Sequence, residues 1–558
     1  MPGAGVLNCS PGAPAAPDQR SSGRCPPGHF RAASARLGHH RHGWFAAGVS
    51  LLAVALTAAP VLPNDRLESE LGAVIGAPEY KQAHWGILVV DLAGGEIVYE
   101  LNADRLFAPA SVTKLYSTAA ALDTLGADFR FETPIYHRGE IDGEGQLKGD
   151  LVLVASGDLS LGGRTSADGK IAFTNSDHTY ANGNDKGELT APDPLAGLDA
   201  LARQVAQAGI KRVRGEVLVD DRLFEKEFGT GSGPRRLTPI MVNDNLIDIV
   251  ITPGEPGKPA TVTSRPPTAM VQVDARVETV AAGGEISTTI RGGSGHNLIV
   301  SGKIPAGHKP LVRVYEVADA AAFARGLLIE ALGRAGVAVD ASPLADQPAA
   351  SLPSREEVAK LPRVGVFTSP PFSESARLIL KVSHNLDAST LPLLLAARNG
   401  KRTLEDGLRL QHDFLARLGI DVETISFGGG AGGSSADYVT PRATVQLLRA
   451  MHARPDGALY RAALPVLGDD GTLHDAVPSE SPARGKVQAK TGTYFWDNVM
   501  NKRVLLTSKA LAGYMTTAAN RELAFALFVN HVHLEKAADT TRVGKTLGRL
   551  CEVIYTNE

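Results

Sequence analysis

The two ends of the chain beyond residue 62 share one pattern of hydrophobic and polar residues, in which helices and strands are mixed. In residues 65–130, two strand-like runs flank a Gly-Gly turn, which predicts a β-hairpin. A helix with one apolar face follows from Ser111 and ends at Gly126. In residues 362–558, helical segments come first, then strands, and then a final helix.

The middle of the chain, residues 131–361, has a different pattern. Short strand-like runs alternate with turns rich in Gly, Pro, Asn and Asp, and helical spacing is confined to residues 195–208 and 318–335. This change predicts one α/β (α+β) domain formed by residues 65–130 together with 362–558. A β-rich insertion then separates the two parts of that domain.

Residues 1–62 differ from the rest of the chain. They contain five Arg and one Asp, and the apolar run WFAAGVSLLAVALTAA occupies residues 44–59. A basic stretch followed by an apolar run of this length is typical of a secretory signal, cleaved or retained as an anchor. A buried core helix is the alternative, which the basic flank and the terminal position disfavour. We therefore predict an exported protein on the periplasmic or other extracytoplasmic side of the membrane.

Charge and cysteine content argue against a nucleic-acid-binding protein and against a disulfide-linked protein. The formal net charge of the 558 residues is −3, and it becomes −7 once the basic leader is set aside. Such a mildly acidic body lacks the basic surface that nucleic-acid binding requires. Two of the three cysteines lie in the leader, so a disulfide framework is not expected.

Three short motifs carry the candidate chemistry. Ser111 and Lys114 are three residues apart on a predicted helix, so the lysine amine can reach the serine hydroxyl and activate it. Taken alone, this pair has a simple alternative, in which the serine caps the helix and the lysine is solvated. However, Ser383-His384-Asn385 and Lys490-Thr491-Gly492 each occur once and follow in chain order. The order S-x-x-K, S-x-N, K-T-G is the signature of penicillin-interacting serine enzymes.

With these motifs the sequence resembles the D-alanyl-D-alanine carboxypeptidase/endopeptidase family, the class C low-molecular-mass penicillin-binding proteins. The resemblance rests on APASVTKLYSTAAAL, SGDLSL, GEVLVDD, SHNLDAST, GDDGTL and GKVQAKTGT. It implies a penicillin-binding-protein/β-lactamase-like transpeptidase domain, an antiparallel sheet flanked by helices, with two inserted domains nested one in the other. It also implies peptidoglycan stem peptides and β-lactams as ligands, without a cofactor or metal.

The resemblance assigns a role to each motif residue. Ser111 is the expected nucleophile that forms an acyl-enzyme, and Lys114 is the expected acceptor of its proton. Ser383 is expected to relay a proton to the leaving amine, and Asn385 to hold the substrate amide and orient Lys114. The backbone N–H groups of Ser111 and Thr493 match the oxyanion hole of the family.

The third motif is expected to bind the substrate carboxylate. Lys490 supplies positive charge, and Thr491 and Thr493 supply hydroxyl groups. Gly492 is expected because a substrate lying along this strand leaves no room for a Cβ atom. Asp220 resembles the carboxylate of the inserted domain that binds an amino group of the substrate, although the neighbouring Asp221 also fits the pattern.

Three features depart from the family. His384 stands where an acidic or small residue is usual, and we expect its side chain to point away from the reaction. Residues 428–437, GGGAGGSSAD, stand where the family usually has an Asp-Gly-Ser-Gly-Leu-Ser-like turn, so the resemblance does not predict the contacts of this loop. The segment between Thr493 and Gly513 is longer than in the family and is expected to narrow the cleft or add a contact surface.

The sequence leaves several alternatives open. A β-lactamase-like or esterase-like hydrolase could use the same residues, and a catalytically silent wall-binding protein could retain them. The preference for carboxypeptidase or endopeptidase cleavage, the oligomeric state and the fate of the leader are also open. His531, His533 and Glu535 could form a metal site, but alternate residues at a strand end are more simply explained as exposed side chains.

Overall fold

The computed structural model describes residues 63–558 except residues 347, 349 and 350. The described residues belong to one compact unit. The predicted leader, residues 1–62, lies outside the described residues, so the export signal stays a prediction. None of the helices in the described part of the chain has the length and apolar character needed to cross a bilayer.

The helices of the described residues are α1 (Pro63–Ile75), α2 (Thr113–Leu125), α3 (Ala196–Gln207), α4 (Ala320–Arg334), α5 (Arg355–Val358), α6 (Phe372–Lys381), α7 (Asn385–Arg398), α8 (Leu404–Arg417), α9 (Pro441–His452), α10 (Gly457–Ala462) and α11 (Thr540–Asn557). The strands are β1 (His84–Asp91), β2 (Ile97–Leu101), β3 (Glu132–Ile141), β4 (Gln146–Val154), β5 (Arg212–Val213), β6 (Val217–Asp220), β7 (Glu227–Phe228), β8 (Arg236–Leu237), β9 (Leu246–Thr252), β10 (Thr261–Arg265), β11 (Gln272–Val280), β12 (Ser287–Gly292), β13 (Asn297–Pro305), β14 (Leu311–Glu316), β15 (Ala338–Val339), β16 (Arg363–Thr368), β17 (Ile425–Ser426), β18 (Tyr438–Val439), β19 (Val487–Asn498), β20 (Arg503–Thr516), β21 (Glu522–Asn530) and β22 (Val532–Leu534).

One antiparallel sheet combines strands from the two ends of the described chain. Its order is β19-β20-β21-β1-β2, and β22 pairs with the N-terminal part of β20. Alternate residues of β1 enter two different cores, because successive side chains of a strand point to opposite faces. Leu88 and Val90 pack with α2 and α6 to α9, whereas Ile87 and Val89 pack with α1 and α11. Helices therefore cover both faces of this sheet, as the sequence predicted.

Besides the short strand pair β7-β8, the stretch between α2 and α6 forms three further sheets. The largest has the order β15-β5-β4-β3-β16 with β6 paired to β4, and two three-stranded sheets follow, β10-β9-β14 and β11-β13-β12. Their apolar faces share a core with α3 and α4. Strand β16 belongs to this part, although we assigned residues from 362 onwards to the catalytic part. The division into domains otherwise stays a prediction.

Most predicted elements are found where the sequence placed them. The hairpin of β1 and β2, helices α3 and α4, and the final helix α11 all agree with the patterns described above. The helical pattern after residue 373 is interrupted, however, between α6 and α7. Ser383 lies at this break with φ of +63°, a left-handed conformation that is strained for a residue with a side chain.

Candidate active site

Ser111 lies at the entrance to α2, in a short 3-10 helix that runs from Ala110 to Val112. Ala110 before it has φ of +46°. The preceding segment is fixed by the sheet, because Ala108 donates its N–H to Asn530 and its carbonyl accepts from Ser508. Neither helix start is capped by a side chain, so Ser111 does not have the capping role that its position would also allow.

Lys114 is fully buried one turn further along. Its Nζ lies 2.8 Å from Ser111 Oγ, 2.6 Å from Asn385 Oδ1 and 2.8 Å from the carbonyl oxygen of Ala431. The last two oxygens can only accept hydrogen bonds, whereas the serine hydroxyl can also donate. A neutral amine would therefore give its two protons to the amide and the carbonyl, and would direct its lone pair at the proton of Ser111.

The protonation state of Lys114 favours this arrangement. Burial, and next the nearby charge of Lys490, hold the pKa of the Lys114 amine well below its ordinary value, and Asp437 opposes the shift. Burial raises the pKa of Asp437 to about 6, although the hydrogen bonds that its carboxylate accepts from two backbone N–H groups lower this pKa. A buried lysine whose pKa is lowered in this way gives up its proton more readily than an exposed lysine, so Lys114 is suited to act as a base.

The second motif lies between α6 and α7 and faces Lys114. Ser383 Oγ accepts a hydrogen bond from Lys490 Nζ at 2.9 Å. Asn385 begins α7, and its amide nitrogen donates to the carbonyl oxygen of Ser232, in the inserted stretch, at 2.9 Å. The side chain of Asn385 thus joins Lys114 to the insertion.

The third motif lies on β19, the edge strand of the first sheet. Lys490 is fully buried, and burial lowers its pKa to about 7. Thr491 Oγ1 contacts the hydroxyl of Thr472 at 2.7 Å, and Thr493 Oγ1 accepts from Lys509 Nζ at 2.8 Å. The strand alternation turns the two threonines away from the side on which Lys490 reaches Ser383.

Gly492 is required by the protein itself. A Cβ atom at this position would lie 2.4 Å from the carbonyl oxygen of Pro109 and 3.2 Å from Cβ of Ala110. We expected the substrate to exclude a side chain here, whereas in the structure the segment before Ser111 excludes it. The glycine therefore brings the third motif close to the first.

Comparison with known proteins agrees with this geometry. The model of the D-Ala-D-Ala carboxypeptidase 3 (S13) family matches residues 67–547. The chain belongs to this family. It is a serine-type D-Ala-D-Ala carboxypeptidase, a hydrolase, and the family and enzyme class predicted from the motifs are confirmed.

Relatives of the carboxypeptidase cover most of its length. The D-alanyl-D-alanine carboxypeptidase of Actinomadura sp. (strain R39) is 29% identical over 489 residues, which are 84% of this chain and 81% of the relative. The D-alanyl-D-alanine carboxypeptidase DacB of Haemophilus influenzae is 23% identical, over 80% and 85% of the two chains. The crystal structure of penicillin binding protein 4 (dacB) from Haemophilus influenzae superimposes with a TM-score of 0.64 at 19% identity, covering 88% of this chain and 99% of the other. The predicted fold class is confirmed.

Asp220 stands apart from the motif residues of the carboxypeptidase. It ends β6 as predicted, but both of its carboxylate oxygens accept from Arg222, at 2.7 and 2.8 Å. Asp221 pairs with Lys226 at 2.7 Å. In the described part of the chain, no side-chain hydrogen bond or ion pair of these two aspartates reaches a motif residue, and a substrate-binding role for either one stays a prediction.

Two features that departed from the family lie beside the motifs. The 428–437 loop supplies the Ala431 carbonyl that contacts Lys114. The long segment after Thr493 extends β19 and β20 into a projecting hairpin, where Trp496, Val499 and Met500 are exposed. Phe495 of this hairpin helps to line a cavity of about 650 Å³ beside Tyr180, and a narrower cleft or an added contact surface both stay predictions for this segment.

The sequence did not point to Tyr180, Ser232, Thr472 or Lys509, all of which contact motif residues. Thr472 could have been found, because it lies in the family-like run GDDGTL. The other three carry no local signature, since their contacts depend on how distant strands and loops pack.

His384 turns into a buried cluster below the site. Its ring nitrogens, with carboxylate oxygens of Asp244 and Asp387, form a group whose ligand atoms lie within 4.8 Å of one another, a spacing that a metal ion could use. However, the Arg164 guanidinium already donates to Asp244 at 2.8 Å and lies 3.5 Å from His384 Nε2. A fixed positive charge in this place makes the cluster an ion-pair network.

Proposed function

We propose that this carboxypeptidase acts on peptidoglycan stem peptides through an acyl-enzyme on Ser111. It would remove a terminal D-alanine, or cleave the peptide bond that follows D-alanine in a cross-link. The observation that carries the proposal is the surroundings of Lys114 Nζ, with two acceptor-only oxygens and one hydroxyl within 2.8 Å. These contacts leave the Ser111 proton as the one that a neutral amine can accept.

Acylation would begin with attack of Ser111 Oγ on the carbonyl carbon of the penultimate D-alanine. A carbon–oxygen bond forms, and the hydroxyl proton passes to Lys114. The negative charge that develops on the carbonyl oxygen would be held by the N–H groups of Ser111 and Thr493, because donors placed where charge develops lower the barrier. Gly492 supports this pairing, since it lets β19 lie against the turn before Ser111.

The leaving amine must then receive a proton as the carbon–nitrogen bond breaks. Ser383 Oγ lies beside Lys490 Nζ, and Asn385 of the same loop contacts Lys114, so a proton held by Lys114 could reach the amine through the Ser383 hydroxyl. Water would then attack the ester carbon and give a proton to Lys114, which passes it to Ser111 Oγ as the ester carbon–oxygen bond breaks.

Recognition of the terminal carboxylate would fall to the hydroxyls of Thr491 and Thr493 on one face of β19, and the positive charge of Lys490 would support it from the other face of the strand. β-Lactams carry a carboxylate next to a reactive amide, so penicillin should acylate Ser111 in the same way. We also propose that the enzyme acts outside the cytoplasm, at the cell wall, because the basic and apolar leader has the composition of an export signal.

Labelling with a fluorescent penicillin tests the proposal. We expect a stable labelled band that is lost in Ser111→Ala, together with release of D-alanine from a muropeptide with a free pentapeptide or cleavage of a cross-linked dimer. Rapid turnover of penicillin would instead indicate a β-lactamase. No labelling and no cleavage of either muropeptide would indicate a silent wall-binding protein. The ratio of the two cleavage rates gives the preference for carboxypeptidase or endopeptidase activity.

A further inference from the structure

The hydroxyl of Tyr180 lies between the two ends of the second motif. It donates to the carbonyl oxygen of Ser383 at 2.6 Å and accepts from the backbone N–H of Asn385 at 2.9 Å. Burial raises the pKa of Tyr180, so the hydroxyl keeps the proton that it donates. One side chain of the insertion thus bridges the backbone of the loop that holds both Ser383 and Asn385.

This loop needs an external restraint. Ser383 adopts a left-handed conformation that is costly for a residue with a Cβ atom, and such strain persists only where the surroundings hold it. In addition, α6 ends at Lys381 and α7 begins at Asn385, and the backbone bond that crosses this break, from His384 N–H to the Ile379 carbonyl at 3.1 Å, does not have the i to i−4 spacing of an α-helix. The bridging hydroxyl supplies a donor and an acceptor at this break.

Tyr180 is itself held by a buried network of charges. It ends the short 3-10 helix His178–Tyr180, which Asp177 caps through the N–H of Thr179. Arg164 binds both oxygens of Asp177, at 2.7 and 3.1 Å, and also Asp244 at 2.8 Å.

The other side of the network reaches the motif again. His178 lies between Asp244 and Asp248, with nitrogen–oxygen distances of 2.8 and 2.6 Å. His384, the middle residue of the motif, has its Nε2 3.5 Å from Asp244 Oδ1. All of these side chains are buried, and charges taken out of water hold their geometry only when each is paired.

We propose that Tyr180 is a positioning residue for the Ser383-x-Asn385 loop, and that the network around Arg164 holds Tyr180 in place. The inference rests on the proposed function, because Ser383 and Asn385 act on the reaction in that scheme. Loss of the hydroxyl would let the loop relax, withdraw Asn385 Oδ1 from Lys114 and misplace the Ser383 hydroxyl.

Tyr180→Phe tests the inference because it removes a single oxygen atom. Tyr514→Phe is the matched control, since Tyr514 is fully buried, donates to the carbonyl oxygen of Leu448 at 2.7 Å and is not a motif contact. We expect Tyr180→Phe to reduce the second-order rate of penicillin acylation about tenfold or more, because two partly buried backbone groups of the loop lose their partner. The control should keep the parent rate, with a similar or larger loss in melting temperature.

The pH profile of acylation separates positioning from general destabilisation. The oxygen of Asn385 stabilises the charged form of Lys114 more than the neutral form, so its withdrawal lowers the pKa of that lysine. The acid limb of the profile should therefore move to lower pH in Tyr180→Phe and stay in place in Tyr514→Phe. Arg164→Lys, which keeps the charge without the forked geometry, should show a smaller change of the same sign if it folds.

An acylation rate within twofold of the parent, or an equal loss in both tyrosine variants, would overturn the inference. If the parent itself is not acylated, the proposed function fails, and a crystal structure of Tyr180→Phe then decides the positioning role. A displaced 383–385 loop, with a longer distance from Asn385 to Lys114, supports that role. An unchanged loop refutes it. Failure of Arg164→Lys to fold leaves the decision with Tyr180→Phe.

Discussion

Replacement of Gly492 by alanine should slow acylation of Ser111 about a hundredfold. The new Cβ atom would lie 2.4 Å from the Pro109 carbonyl oxygen, whereas ordinary contacts begin at 3.4 Å, so β19 and the turn must separate by about 1 Å. A misplacement of about 1 Å between reacting groups costs on the order of 10²-fold in rate. Lys490 and Thr493 are carried along, because they flank the glycine on the same strand.

The assay is the stopped-flow rate of labelling by a fluorescent penicillin, with D-alanine release and the melting temperature measured in parallel. Gly143→Ala is the control, because a Cβ atom there meets no other heavy atom within 4 Å. A rate for Gly492→Ala within threefold of the parent would refute the reasoning. It would mean that the turn before Ser111 and the strand adjust to each other without moving the reacting groups.

Three other predictions concern charge. Burial lowers the pKa of Lys490 to about 7, so its positive charge is lost as the pH rises through 7. The KM for a peptide with a free terminal carboxylate should therefore increase about three- to tenfold by pH 8.5. The KM for the same peptide with a terminal amide should not change, because an amide carries no charge. Lys509→Met should raise the same carboxylate KM about three- to tenfold in steady-state kinetics, since Thr493 Oγ1 loses its donor; an equal rise for the amide would contradict this. Burial opposes the charged form of His178, but its two flanking carboxylates raise its pKa to about 10. Because this value lies above the unfolded one, the stabilisation is complete below about pH 6.5 and is lost toward pH 10. The free energy of unfolding of the parent, measured with urea from pH 6.5 to pH 10, should therefore decrease as the pH rises. The same decrease in His178→Gln would contradict this prediction.

Contacts between catalytic residues were predictable from the sequence where the residues belong to one motif. Ser111 and Lys114 meet because residues three apart share a helical face, and the strand alternation of β19 separates Lys490 from Thr491. The helices and most strands followed from hydrophobic spacing for the same local reason.

Contacts between distant segments were not predictable. Tyr180 reaches Ser383 only because the insertion folds back over the break between α6 and α7, and no spacing in the sequence encodes that approach. The contact that excludes a side chain at Gly492 was missed in the same way, since Pro109 lies far from it in sequence. Strand pairing was also hidden, because hydrophobic alternation does not reveal that β11 runs parallel to β13.

The position of β1 between β21 and β2 affects how the chain folds. This early strand pairs along its full length with β21, from His84 opposite Asn530 to Asp91 opposite Leu523. Pairings between such distant segments close very large loops and slow folding. During synthesis, Ser111 is therefore present in the chain long before β21, the strand that pairs with β1. Reactivity of Ser111 should appear only after β21 has formed, which would make penicillin labelling a reporter of completed folding.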